Sequence, residues 1–374
     1  MIKIQNKEDC CGCGACAIIC NHKAITMTPD NLGFKYPIVN NELCTNCGLC
    51  TQVCSFKKDY VISCNLKTPI VLAARHKNIK ELEQSRSGAT FVALSDFILG
   101  KGGIVYGAGF GNNFKVIHKR AQTREERNEL RGSKYVQSDM KDTFIYIKKD
   151  LKEGKEVLFS GTPCQTAALK SYLNKDYDNL YLADIICHGT SSPQIWDDYL
   201  KFIKRIAFNN IRSVNFRDKQ LFGWSSHQES FTFGNNEKKR IFPFKFYNDF
   251  SLRPSCYSCY FANTTRPSDI TLGDFWGWEK SVPEFNKDNK GISLLLINTE
   301  KGKALFENIK EMMNYKIITL NEAMQPNLQR PTPIPAKHDH YINNYIKYGY
   351  FITALKYKQI KLSSVIKNLI KSFR

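Results

Sequence analysis

Two runs of cysteine constrain this chain more than any other feature. Cys10, Cys13, Cys16 and Cys20 follow the spacing C-x2-C-x2-C-x3-C, and Cys44, Cys47, Cys50 and Cys54 repeat it at an offset of 34 residues. A fixed offset marks an internal duplication. Three thiolates at this spacing wrap three corners of one iron–sulfur cube, which needs tight turns with backbone N–H groups facing the sulfurs. Gly12, Gly14 and Gly48 suit such turns, since glycine accepts positive φ. In bacterial two-cluster ferredoxins the fourth cysteine of each run ligates the other cluster. The expected sets are therefore Cys10, Cys13, Cys16 and Cys54 for cluster one, and Cys44, Cys47, Cys50 and Cys20 for cluster two. Structural zinc sites pair two short knuckles instead. Asn21 and Ser55 replace the proline that usually follows each run, which removes no ligand. Residues 1–62 thus read as an α+β, ferredoxin-like module holding two 4Fe-4S clusters. Cys11 is a spectator or an exchange ligand, and Cys64 receives no role.

A chain of 374 residues has room for two or three domains of roughly 100 to 200 residues each. Its first ten residues lack the apolar stretch of a signal peptide, and no run approaches the roughly 18 apolar residues of a membrane span. The expected location is the cytoplasm, where fourteen cysteines argue for metal or redox chemistry over disulfides. The formal charge is +19, and three 4Fe-4S centres at about −2 each would leave about +13. Such a surface suits nucleic acid, an anionic membrane or an acidic protein. No nucleic-acid-binding signature accompanies it, so the expected partner is an acidic ferredoxin or flavodoxin.

After Leu66 the pattern becomes α/β. Ser87 is placed to cap a helix from Gly88 to about Leu99, with a strand from Gly103 to Phe110. Thr123 and Glu126 form a capping box on a short charged helix that ends near Gly132 and reads as a solvated face. EVLFS from Glu156 is a buried strand, GTPCQ a turn, AALKSYL a helix, and Leu180–Ile186 the next strand. This βαβ unit makes the two strands parallel, in a mostly parallel sheet. Hairpins follow between about Ile211 and Phe246, with Gly234, Asn235 and Asn236 as a turn. The regions are read as 68–150, 151–330 and a basic helical tail, 337–374, after a Pro-rich linker from Gln329 to Ala336. In the tail Leu362, Val365, Ile366, Leu369, Ile370 and Phe373 recur at helical spacing, with Lys367, Lys371 and Arg374 off that face. That helix either lies on an anionic membrane or docks on the domain.

Four cysteines remain once the block, Cys11 and Cys64 are set aside. Cys164 and Cys187 follow neighbouring parallel strands and meet at the carboxyl edge, where open α/β sheets bind ligands. Cys256-x2-Cys259 adds two more from one tight turn. The expectation is a third 4Fe-4S cluster on Cys164, Cys187, Cys256 and Cys259, with zinc or unligated thiols as alternatives.

SRSGATF (85–91), GGIVYGAGF (102–110), RGSKYVQSD (131–139), LFSGTPCQ (158–165), DIICHG (184–189) and DITLGDFWG (269–277) together resemble the coenzyme F420 hydrogenase/dehydrogenase β-subunit family. The resemblance spans most of residues 1–280. It implies FAD beside a 4Fe-4S cluster, with electrons passing through clusters to the flavin and on to a small-molecule substrate. The flavin contacts it implies are Ser87, Gly88 and Thr90, then Ser133, Lys134 and Tyr135, then Gly161, Thr162 and Gln165. Ser87 with Gly88, and Thr162 with Gln165, open helices where N–H donors can face a phosphate. Lys134 can hold the pyrophosphate or the reduced N1. Ordinary caps and a surface lysine are the alternatives. Ala89 stands where many members have glycine. No residue reads coenzyme F420 itself, which is not expected as the substrate. The expected function is a ferredoxin-linked flavin oxidoreductase. The competing one is a non-catalytic electron-transfer subunit, for which the resemblance admits a setting in surface-polysaccharide metabolism.

Overall fold

Gly14 at φ +79° and Gly48 at φ +80° each open one helical turn, Ala15–Ile18 and Leu49–Gln52. The duplication of sequence is thus a duplication of backbone, with Cys16 and Cys50 at matching places. Between the turns lie two antiparallel strands, β1 (Ile25–Pro29) and β2 (Lys35–Val39). The computed structural model describes residues 1–62, 65–234, 237–239, 243–244 and 246–372. Cys64, the expected turn at Asn235 and Asn236, and Phe373 and Arg374 of the tail lie outside the described residues.

The remaining strands are β3 (Ile70–His76), β4 (Ile104–Phe110), β5 (Val116–Ala121), β6 (Val157–Gly161), β7 (Leu180–Ile185), β8 (Ile211–Asn215), β9 (Ser230–Phe233), β10 (Lys238–Lys239), β11 (Ile270–Asp274), β12 (Ser293–Ile297) and β13 (Met313–Ile318). Eight of them form one sheet in the order β13-β3-β12-β11-β7-β6-β4-β5. Its centre, β4, β6, β7 and β11, is parallel, and antiparallel strands extend both sides. The SLLLI run of β12 is buried along its length, as a strand covered on both faces requires. Strands β8, β9 and β10 make the expected antiparallel hairpins.

The helix Pro193–Ala207 buries Ile195, Trp196, Tyr199, Leu200, Phe202, Ile203 and Ile206 along one face, the spacing of an amphipathic helix. Tyr341, Tyr345, Tyr350 and Ala354 of helix His338–Lys356, and Val365 of helix Leu362–Ser372, share that core. Tyr345 also donates to Asp198 at 2.7 Å. Docking on the domain is therefore what the structure gives for the tail. No helix among the described residues is long and apolar enough to cross a membrane.

Local readings need correction in four places. The helix before β4 runs from Thr90 to Gly100 with Ala89 at its N-cap, while Ser87 donates its hydroxyl to the Ile292 carbonyl at 2.7 Å. GTPCQ is a strand end followed at once by the helix Pro163–Leu173, because proline is well suited to the first helical position. The capping box at Thr123 forms, yet its helix stops at Asn128 and buries Arg127 to 1% exposure, paired with Asp96 at 2.9 Å. The Pro-rich segment is no free linker, since Thr332 is buried and donates to the His188 carbonyl at 2.5 Å.

Candidate redox site

Cys20, Cys44, Cys47 and Cys50 line one cavity, walled only by the module. Cys47 alone is exposed among the described cysteines. The other set gathers as well: burial, then Cys13, Cys10 and Cys54, raise the Cys16 thiol. Burial likewise pushes Cys54 up to about 11. Each fourth cysteine therefore lies with the other run, as the crossed spacing requires.

Cys164, Cys187, Cys256 and Cys259 line a single further cavity, together with Cys11, Gln137 and Arg253. Cys164 sits on the first turn after β6 and Cys187 just beyond β7, so the parallel pairing brings them together. The short turn Pro254–Cys256 brings the last two. The Thr162 hydroxyl lies 3.1 Å from the Cys164 sulfur, and the Gln165 N–H donates to the Thr162 carbonyl at 3.0 Å. Burial and the neighbouring thiols raise Cys187 and push Cys259 up to about 12. Burial raises three of the four thiols, Cys187, Cys256 and Cys259, while the Cys11 thiol pulls Cys164 down to about 7; a cationic iron core would offset the charge of all four. Among the described residues no three His, Cys, Asp or Glu converge tightly enough for a single metal ion. The thiols instead ring voids, the wider spacing that a cube with one thiolate per corner needs.

A larger cavity of about 660 Å³ opens at the carboxyl ends of β4, β6, β7 and β11. Of the sequence-predicted flavin contacts, Ser87, Thr90, Ser133, Lys134, Tyr135, Gly161, Thr162 and Gln165 line it, and Gly88 does not. Gly88 has a packing role: its N–H donates to the Ser293 hydroxyl at 2.9 Å, and a Cβ there would sit 2.2 Å from the Ala74 carbonyl oxygen. The Thr162 N–H is also committed, to the Gln165 side chain at 3.0 Å. These two N–H groups are thus not phosphate donors. Lys134 donates to the carbonyls of Arg131 and Glu129, at 2.7 and 3.2 Å. Desolvation and nearby Lys119 pull its ammonium down to about 7. Tyr135 stacks on Phe246 with ring centroids 4.4 Å apart.

Several wall residues escaped the sequence reading. Burial alone would raise the Asp274 carboxyl, yet Arg217 and Arg86 hold it below the usual range, with Arg217 at 2.5 Å. Trp276 stacks on Trp224 beside them. Asp274 and Trp276 stand in the DITLGDFWG block and Arg86 in SRSGATF, so the motifs contained them without singling them out. His118 had no signal at all. Burial pulls it down to about 4; Nε2 donates to the Ser160 carbonyl at 3.2 Å, which leaves Nδ1 to accept from the Ser138 hydroxyl at 3.0 Å.

The two cavities share Thr162, Gln165, Cys187, His188, Gly189 and Thr190 as common walls. Whatever the four thiols hold would lie directly beside whatever fills the larger space.

Residues 154–323 match the family described as the C terminus of the coenzyme F420 hydrogenase/dehydrogenase beta subunit, and residues 9–58 match the 4Fe-4S dicluster domain. No curated protein matches the chain. Among solved structures it is similar to a chain of the F420-reducing nickel–iron hydrogenase complex from Methanosarcina barkeri, at 17% identity over 78% of this chain and 92% of that one, with a TM-score of 0.47. The chain thus joins a 4Fe-4S dicluster domain, in residues 9–58, to a region similar to the C terminus of the coenzyme F420 hydrogenase/dehydrogenase beta subunit, in residues 154–323.

Proposed function

We propose that the chain is an iron–sulfur flavoprotein oxidoreductase acting on a small molecule. Cys10, Cys13, Cys16 and Cys54 would hold cluster one, Cys20, Cys44, Cys47 and Cys50 cluster two, and Cys164, Cys187, Cys256 and Cys259 a third. FAD would occupy the larger cavity. The observation that carries this reading is the common wall between the third thiol-lined cavity and the larger one. A volume of about 660 Å³ also falls in the range of roughly 300–1,000 Å³ typical of small-molecule sites.

When bound, the clusters and FAD would supply one-electron carriage and its conversion to two-electron chemistry. The chain's own residues do the rest. Lys134 offers a cation to an anionic group in the cavity. The Cys11 thiol and then the Thr162 hydroxyl, 3.1 Å from the Cys164 sulfur, favour its thiolate form. His118, held neutral, fixes Ser138 and Ser160 on the cavity wall. Arg330, Pro331, Thr332 and Pro333 also line the cavity.

The donor would be an acidic ferredoxin or flavodoxin, drawn by the net charge of +19. The module itself carries only six lysines against five acids in residues 1–62, so the attracting field comes from the α/β domain and tail. Anaerobic purification followed by cofactor extraction tests the function. About one FAD per chain supports the enzyme; clusters without flavin would make the chain an electron-transfer subunit that serves a partner.

A further inference from the structure

We propose that Cys11 is the bridge over which electrons leave the dicluster module, so that cluster one, and not cluster two, feeds the third cluster. The inference rests on the three-cluster reading above.

The duplication supplies an internal comparison. At the 34-residue offset Cys11 corresponds to Thr45. Thr45 lines the cavity of Cys20, Cys44, Cys47 and Cys50, to which the α/β domain contributes no wall. Cys11 instead lines the cavity of Cys164, Cys187, Cys256 and Cys259. Of these two matching positions, only the one that carries the extra thiol lines a cavity built with the domain.

At that junction Cys11 is 6% exposed and packs with Phe56, Ala167 and Phe261, against which Cys13, Cys54, Cys164 and Cys259 also rest. Cys11 lines the same cavity as Cys164, and Cys13 packs on the same group of side chains. One buried thiol therefore stands between a ligand candidate of each centre. Its position is fixed from the domain side: Gln137 donates to the Cys11 carbonyl at 2.8 Å, and Arg253 donates to Gln137 at 2.8 Å. Of the second run only Cys54, itself a ligand candidate of cluster one, rests on that group of side chains among the described residues.

The step moves one electron from cluster one, which is oxidised, to the third cluster, which is reduced. No bond forms or breaks, and Cys11 keeps its proton. The reductant is the one-electron carrier protein that supplies the module.

The test uses the full chain, reconstituted anaerobically, as wild type, Cys11→Ser and Cys11→Ala. Iron is counted first. About twelve per chain is expected in all three, as three cubes require. About eight in the wild type would overturn the three-cluster reading and the bridge with it, whereas a deficit confined to the variants would make Cys11 a ligand and overturn the bridge alone. Each protein is then mixed with a substoichiometric amount of reduced 4Fe-4S ferredoxin and freeze-quenched for electron paramagnetic resonance. The expected result is a fast phase of reduction at the third cluster in the wild type. In the variants that phase is lost and the electron stays on the module, while magnetic broadening between clusters is unchanged and shows the spacing intact. A fast phase that survives in both variants at twelve iron overturns the bridge and leaves the three-cluster reading standing.

Discussion

The guanidinium of Arg253 donates through Nε to the carbonyl of Cys10 at 2.7 Å, across 243 positions of sequence. Its other nitrogens reach Gln137 at 2.8 Å and the Lys35 carbonyl at 2.9 Å, and its plane lies over the Tyr36 ring. One side chain, 1% exposed, thus fastens the module to the α/β domain. A lysine cannot reproduce that planar fork. Charged hydrogen bonds contribute roughly 1.5–3 kcal/mol each, so Arg253→Lys should cost about 3 kcal/mol in denaturant unfolding and speed proteolysis between the two parts. Unchanged stability and cleavage would show that other contacts hold the module.

Cys20 lies with Cys44, Cys47 and Cys50, away from its own run. Replacing Cys20 with Ala should therefore damage cluster two, lowering iron by about four per chain and leaving cluster one detectable. Loss of cluster one with cluster two intact would mean that the runs do not cross.

Lys134 gives the cavity a pH dependence. Its ammonium, pulled down to about 7, is charged below that pH and neutral above it, and an anion in the cavity favours the charged form. FAD should bind the flavin-free protein most tightly below about pH 7 and progressively less tightly as pH rises. Lys134→Met should weaken binding about tenfold or more, the loss of one charge-assisted hydrogen bond, and flatten the profile. A fluorescence titration showing the same slope in the variant would assign the dependence to another group.

Neighbouring positions 88 and 89 should respond in opposite directions. Ala89 sits at φ +63°, a left-handed conformation that costs a non-glycine residue roughly 1–2 kcal/mol, partly offset by the extra unfolded-state entropy of glycine. Ala89→Gly should raise stability by roughly 0.5 kcal/mol. Gly88→Ala drives a methyl into backbone and should cost at least about 3 kcal/mol. Thermal unfolding of both variants checks the pair, and a neutral Gly88→Ala would contradict the packing described.

The sequence made the thiol sets legible because ligand spacing is local chemistry, and the βαβ unit extended this to Cys164 and Cys187 by forcing their strands parallel. It misled on the cap at Ser87 and on the N–H of Gly88, where a good capping residue and a glycine look the same whether they open a helix or pack against a neighbouring strand. The partners that decide the matter, Ile292 and Ser293, lie about two hundred residues away. Arg86, Arg217 and Asp274 come together only through the sheet order, which joins β11 to β7 and β12. The tail showed its amphipathic face plainly, but not that the helix Pro193–Ala207 would cover part of it.

The proposed function rests on the proposed third cluster, which would link the module to the larger cavity. Iron and acid-labile sulfide in the anaerobically reconstituted protein test it most directly. The account predicts about twelve of each per chain, falling to about eight in Cys256→Ala and Cys259→Ala. About eight in the wild type, unchanged in both variants, would contradict it.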